Sequence, residues 1–151
     1  RVTGMTGHQE NPGTGHTLQG QAAPVVDIEA VVRALGVQQV VTIPAYDVDA
    51  IEATLKRYVK LDEPCVLITR EECALLPVAR KRWQPLAVDA DQCNGCTLCF
   101  RIGCPALTKS DALDERTGRP KALIDAALCT GCEVCAQLCP REAISFREAV
   151  A

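Results

Sequence analysis

The sequence predicts an α/β segment followed by a small α+β module, and three features carry that reading. Amphipathic stretches alternate with short apolar runs between residues 27 and 69, the pattern of helices layered on a parallel sheet. Eight of the ten cysteines crowd into residues 93–139. That crowded region also repeats itself: a cysteine triplet, a Cys-Pro pair and a strand-like run, then the same again. Residues 77–85 hold two prolines and the run Arg80-Lys81-Arg82 and read as a linker. Residues 1–85 are therefore expected to form one unit and residues 86–151 a second.

Residues 1–24 read as loop. Between Val2 and Gly15 there are four glycines and four Thr or Asn residues, a composition that lets backbone approach an anion closely and that equally suits a loose terminus. His8 and His16 have no nearby cysteine or carboxylate pattern that would make a metal site. Asp27 is placed to cap a helix whose apolar face is Ile28, Val31, Val32 and Leu35, ended by Gly36. Val40-Val41-Thr42-Ile43 reads as a short buried strand. Asp47 caps a second helix with Val48, Ile51, Leu55 and Val59 turned inward. Cys65-Val66-Leu67-Ile68-Thr69 is a second buried strand, with Cys65 a small core residue; Cys73 reads the same way. Two strands and two helices leave sheet faces and edges uncovered, as at the C-terminal end of a larger α/β domain, and a start at Arg1 rather than Met fits a piece of a longer polypeptide.

In the second half, Leu86–Asp89 reads as a first strand and Ala143–Phe146 as a last strand returning beside it. Ala106–Lys109 and Ala122–Asp125 can pair across a polar turn containing Thr117-Gly118-Arg119-Pro120, and short helices are expected after each cysteine triplet. The first run is Cys93-x2-Cys96-x2-Cys99-x4-Cys104-Pro105. The second is Cys129-x2-Cys132-x2-Cys135-x3-Cys139-Pro140, the bacterial ferredoxin spacing for 4Fe–4S clusters; the first carries one extra residue before its last cysteine. Two-residue gaps turn the chain tightly enough for three thiolates to reach three corners of one cubane. In two-cluster ferredoxins the fourth cysteine ligates the other cluster. One cluster is thus assigned to Cys93, Cys96, Cys99 and Cys139, the other to Cys129, Cys132, Cys135 and Cys104. A disulfide scaffold would call for a secreted chain, and zinc rarely uses three cysteines at successive two-residue gaps with a Cys-Pro, twice over.

Bulk composition narrows the partners. The formal net charge is −3 and aromatic residues make up 3% of the chain, so the core must be aliphatic. Neither half has the basic excess that nucleic-acid binding requires, and no apolar run reaches the ~20 residues of a membrane helix. Thiolates held as cluster ligands imply a reducing, cytoplasmic setting.

Two segments also carry a resemblance. Thr3-Gly4-Met5-Thr6-Gly7-His8-Gln9 with Asn11-Pro12-Gly13, joined to a C-terminal dicluster module, resembles the indolepyruvate-using branch of the thiamine-diphosphate-dependent 2-oxoacid:ferredoxin oxidoreductase family, at the C-terminal portion of its alpha subunit. The resemblance runs over essentially the whole chain. It implies thiamine diphosphate bound through Mg²⁺, with the backbone carbonyl of Val2 as a metal ligand and Thr3, Gly4, Met5, Thr6 and Gly7 along the diphosphate and thiazolium. The family's Gly-Asp-Gly segment, a later Asn ligand and the pyrimidine-binding domain do not occur in these residues, so half a cofactor site is implied. The implied reaction is oxidative decarboxylation of an arylpyruvate with coenzyme A, in complex with a beta subunit. Two 4Fe–4S clusters then pass electrons to an external ferredoxin. By itself the chain would be inactive. The alternative is a stand-alone dicluster ferredoxin-type electron carrier with an N-terminal docking extension; a Gly-Asp-Gly motif upstream of Arg1 would decide for the enzyme.

Overall fold

The computed structural model describes residues 10–74, 76 and 84–146. The cofactor-loop residues Val2, Thr3, Gly4, Met5, Thr6 and Gly7 and most of the linker lie outside them. The chain forms two compact units, Arg1–Ala79 and Arg80–Ala151.

In the first unit, helix α1 (Ile28–Ala34) begins where the Asp27 carboxylate accepts the Ala30 N–H, satisfying one of the donors a helix start leaves unpaired. Gly36, at φ +93°, lets the chain leave the helix. Strand β1 (Gln39–Ile43) follows. Asp47 caps α2 (Val48–Tyr58) in the same manner, accepting from Ala50. Strand β2 (Cys65–Thr69) then pairs parallel with β1, Gln39 opposite Cys65 and Ile43 opposite Thr69. The strand–helix–strand order is the α/β unit the alternation implied.

The expected apolar faces of the helices need correction. No residue of α1 is buried; Ile28, Val31 and Leu35 are all exposed, Leu35 by 80%. On α2 the covered stripe runs through Val48, Ile51, Thr54 and Tyr58, while Leu55 and Val59 face solvent. Hydrophobic spacing reports which side of a helix can be buried, and here a two-stranded sheet is too narrow to cover it. Cys65 and Cys73 are half-buried rather than core residues.

Polar bonds hold α1 on β1 instead. Arg33 donates to Glu29 and to the Val40 carbonyl at 3.0 Å, and Thr42 Oγ1 donates to Glu29 at 2.8 Å. Arg33, then Thr42, holds the Glu29 carboxyl below the usual glutamate range. A depressed folded pKa gives stability that is present above the ordinary carboxylate range and is lost as pH falls through the lower folded value. Glu29→Gln is therefore expected to lower the first unit's stability near neutral pH and to flatten its acid limb, so that the two proteins converge at low pH. An unaltered acid limb would count against the network.

In the second unit, β3 (Leu86–Val88) pairs antiparallel with β6 (Ile144–Phe146). Strand β4 (Leu107–Leu113) pairs antiparallel with β5 (Pro120–Ile124), with a register shift between Lys109 and Leu113. The strands pair as the sequence suggested, but β4 runs four residues beyond the expected Lys109. A 3-10 helix (Leu98–Ile102) and α3 (Val134–Gln137) contain the third cysteine of each triplet; they had been expected after it. The buried cluster joins Leu86, Leu107, Ala122 and Ile144 to Cys99 and Cys135. Two cysteines thus sit inside an aliphatic core that the pseudo-repeat closes on itself.

Candidate metal centre

Each cysteine triplet is bent by two left-handed residues at matching places. Gly95 and Gly131 have φ +65° and +73°, and Thr97 and Glu133 have φ +68° and +61°. Glycine takes this conformation freely; a β-branched threonine does so only where the surroundings over-determine it. The same strain in both runs points to a shared purpose, which is to turn three sulfurs to one side of the loop. Glycine at the first position was legible from the Asn-Gly-Cys and Thr-Gly-Cys runs. Thr97 and Glu133 carried no such signal.

The tertiary fold brings each triplet to a distant cysteine. Burial first, then Cys96, Cys93 and Cys139, push the Cys99 thiol above its usual range. Burial, then Cys132, Cys129 and Cys104, push Cys135 up to about 11. The buried third cysteine of each run therefore has as its neighbours its own triplet and the Cys-Pro cysteine of the other run. A thiol this reluctant to ionise in an apolar core becomes a thiolate only when a cation replaces the proton, so metal uptake should release protons.

Around Cys99 the four sulfur-bearing residues Cys93, Cys96, Cys99 and Cys139 line a cavity walled by Val88, Phe100, Ala122, Ala143 and Ile144. Among the described residues no three His, Cys, Asp or Glu side chains converge as a single ion would need. Zinc draws its thiolates to ≈ 2.3 Å from one point; four thiols set round a cavity suit a multi-iron cluster, in which each thiolate meets a different iron. The donors fit an anionic group as well. The N–H groups of Ala122, Ala143 and Leu86 point at Cys93, Cys139 and Cys129 Sγ, each at 3.4 Å, and such bonds strengthen when the sulfur carries charge. Asn94, on the cavity wall, has a buried Oδ1 with no hydrogen-bond partner; its amide end can rotate to present N–H to an anion. None of these three backbone donors was readable from the sequence: those of Leu86 and Ala122 come from distant chain, and that of Ala143 depends on the left-handed turn at Glu142.

In the first unit, Asn11-Pro12-Gly13 is an ordered turn: Asn11 Oδ1 accepts the Gly13 N–H, and the Pro12 carbonyl accepts the Val26 N–H. A broad cleft opens beside it, lined by Asp27, Arg33, Thr42, Thr69 and Arg70. It lies at the C-terminal ends of two parallel strands, where ligands of open α/β sheets bind. Arg70 at this cleft was not singled out by the sequence.

Comparison with known proteins agrees with both halves. Residues 92–143 match the 4Fe-4S dicluster domain, and residues 1–69 match the C-terminal TPP binding domain of thiamine pyrophosphate enzymes. The chain thus joins a stretch of the C-terminal TPP binding domain of thiamine pyrophosphate enzymes to a 4Fe-4S dicluster module. It is 37% identical over 148 residues to the indolepyruvate oxidoreductase subunit IorA of Thermococcus kodakarensis, covering 94% of this chain and 22% of that protein. It is 38% identical over 147 residues to that of Archaeoglobus fulgidus, covering 95% and 22%. Over nearly its whole length the chain is similar to these indolepyruvate oxidoreductase subunits, and it spans about a fifth of the length of the curated relatives it matches. Among the described residues no helix is long and apolar enough to cross a membrane.

Proposed function

We propose that the chain is the electron-relay end, together with part of the thiamine diphosphate site, of an enzyme that oxidatively decarboxylates indolepyruvate or a related arylpyruvate to an acyl-CoA. Electrons leave through its two clusters to an external ferredoxin. The observation that carries this reading is the crossed gathering of thiols about Cys99 and Cys135 in a chain whose other half matches a thiamine pyrophosphate domain. When bound, the clusters supply one-electron steps and thiamine diphosphate supplies the carbon chemistry. This chain's residues hold the first cluster by Cys93, Cys96, Cys99 and Cys139 and the second by Cys129, Cys132, Cys135 and Cys104. They also wall the first from water with aliphatic side chains, and they hold the Asn11–Gly13 turn beside the strand-end cleft. The Val2 carbonyl would ligate Mg²⁺; Thr3, Gly4, Met5, Thr6 and Gly7 would line the diphosphate and thiazolium, and a beta subunit would complete the enzyme.

Protein prepared without oxygen is expected to carry about eight iron per chain, as two four-thiolate sites require. Stoichiometric zinc in place of iron would overturn the reading. The 151 residues alone are expected to bind thiamine diphosphate and Mg²⁺ weakly, because Mg²⁺ needs a near-octahedral set of oxygens and one carbonyl with loop amides falls short. Calorimetric titration checks this. Micromolar binding, about −8 kcal/mol, would show that the half-site suffices. Turnover of an arylpyruvate with ferredoxin reduction is expected only once the pyrimidine-binding part and the partner subunit are supplied.

A further inference from the structure

We infer that the two four-cysteine sites are unequal electron acceptors, and that the site of Cys93, Cys96, Cys99 and Cys139 takes an added electron at the less negative potential. The inference rests on the crossed ligation proposed above. The two halves of the module are nearly symmetric where each triplet begins: Cys93 Sγ accepts the Ala122 N–H and Cys129 Sγ accepts the Leu86 N–H, both at 3.4 Å. The Cys-Pro turns break that symmetry.

After Cys139 the chain runs through Pro140, Arg141 and Glu142 before Ala143. Glu142 adopts φ +51°, and this twist returns the Ala143 N–H to Cys139 Sγ at 3.4 Å. After Cys104 only Pro105 precedes Ala106. Both turns close alike, with the Leu107 N–H on the Cys104 carbonyl and the Glu142 N–H on the Cys139 carbonyl, each at 3.1 Å. Among the described residues no N–H reaches Cys104 Sγ. One site thus has two backbone N–H donors on its sulfurs and the other has one. Cluster potential follows hydrogen bonds to sulfur, net charge and exposure, and each donor stabilises the extra negative charge of the reduced state. Arg141 acts in the same direction. It lines the Cys93 cavity, although its exposed position means that solvent screens much of its charge. The Ala143 donor is the stronger cause, since that residue is 1% exposed. A non-glycine residue at positive φ is strained, and the chain keeps that strain at Glu142, where the additional donor is made.

In half-reduced protein the electron accordingly resides on the Cys93 site. The test is a stepwise reduction of the holoprotein, both clusters loaded, followed by electron paramagnetic resonance. Cys139→Ser and Cys104→Ser, each leaving an oxygen ligand, mark which signal belongs to which site. The signal marked by Cys139→Ser is expected to appear first, with at least a tenfold preference, or 59 mV for a one-electron couple. Arg141→Gln should move that signal alone to more negative potential, and Arg141→Lys should restore it. Deleting Gly103 and inserting Arg-Glu between Pro105 and Ala106 should narrow the gap by giving Cys104 a matching turn. Equal potentials or the reverse order, at full iron content, would overturn the inference while leaving the ligation intact. If Cys139→Ser and Cys132→Ser instead mark the same signal, the crossed ligation fails, and the inference falls with it.

Discussion

Cys139→Ala is expected to empty the site at Cys93, Cys96 and Cys99 and to leave the nearer triplet at Cys129 loaded, so that iron falls from about eight to about four per chain. Cys104→Ala should do the reverse. The reason is spatial. Cys139 follows Cys135 by four residues, yet it is the Cys99 thiol, not the Cys135 thiol, whose charge it perturbs; Cys104 in turn acts on Cys135. Three thiolates hold a four-iron group less firmly than four, and the loss reaches further than one ligand because Cys99 and Cys135 are themselves part of the buried cluster with Leu86, Leu107, Ala122 and Ile144. Metal binding and folding are linked in domains of this kind. Either change should therefore loosen the second unit as a whole, seen as faster amide exchange in β3 through β6. Visible and paramagnetic spectra of the two variants decide the matter. If Cys139→Ala disturbs only the signal that Cys132→Ala also removes, ligation is local within each run and the assignment is wrong.

Gly95→Ala is expected to be nearly as damaging, and Gly103→Ala much less, although the two glycines share φ +65°. A methyl group on Gly95 would sit 2.9 Å from the Pro120 carbonyl oxygen, 2.9 Å from Arg119 Cβ and 3.0 Å from the Arg119 carbonyl oxygen. Two of these are backbone atoms that cannot step aside without shifting the start of β5. That strand supplies the Ala122 N–H to Cys93, and Thr117 Oγ1 and Lys121 Nζ anchor the same hairpin to the carbonyls of Asn94 and Ala90. At Gly103 an added methyl meets nothing within 4 Å, so only the left-handed backbone is taxed, by about 1–2 kcal/mol. The cost at Gly95 should reach about 3–5 kcal/mol, in the range of severe single substitutions. Rates of iron release to a chelator under anaerobic conditions provide the comparison. Equal rates for the two variants would show that the loop tolerates displacement from the hairpin.

The cysteine runs by themselves determined the chemistry of the second unit, because ligand type and spacing are local properties of a chain. Two-residue gaps with glycine before the second cysteine announce a loop that turns three sulfurs inward, and a repeated run announces two such sites. Caps were equally legible: Asp27 and Asp47 each accept the N–H three residues on, as their position ahead of an apolar period implied. The strand pairs of the second unit could be read from alternation and turn residues. Burial of the helices could not. Ile28, Val31 and Leu35 have the right period and lie exposed, because burial depends on what else occupies the space above a helix, and a period does not specify that. Tertiary structure alone decided which N–H groups reach sulfur, since Leu86, Ala122 and Ala143 are carried to their cysteines by strand pairing and by one strained turn. The difference between the two sites has the same origin. Two residues after Pro140 that have no counterpart after Pro105 change little in the sequence pattern, yet in three dimensions they add a hydrogen bond to one sulfur and a guanidinium to one cavity wall.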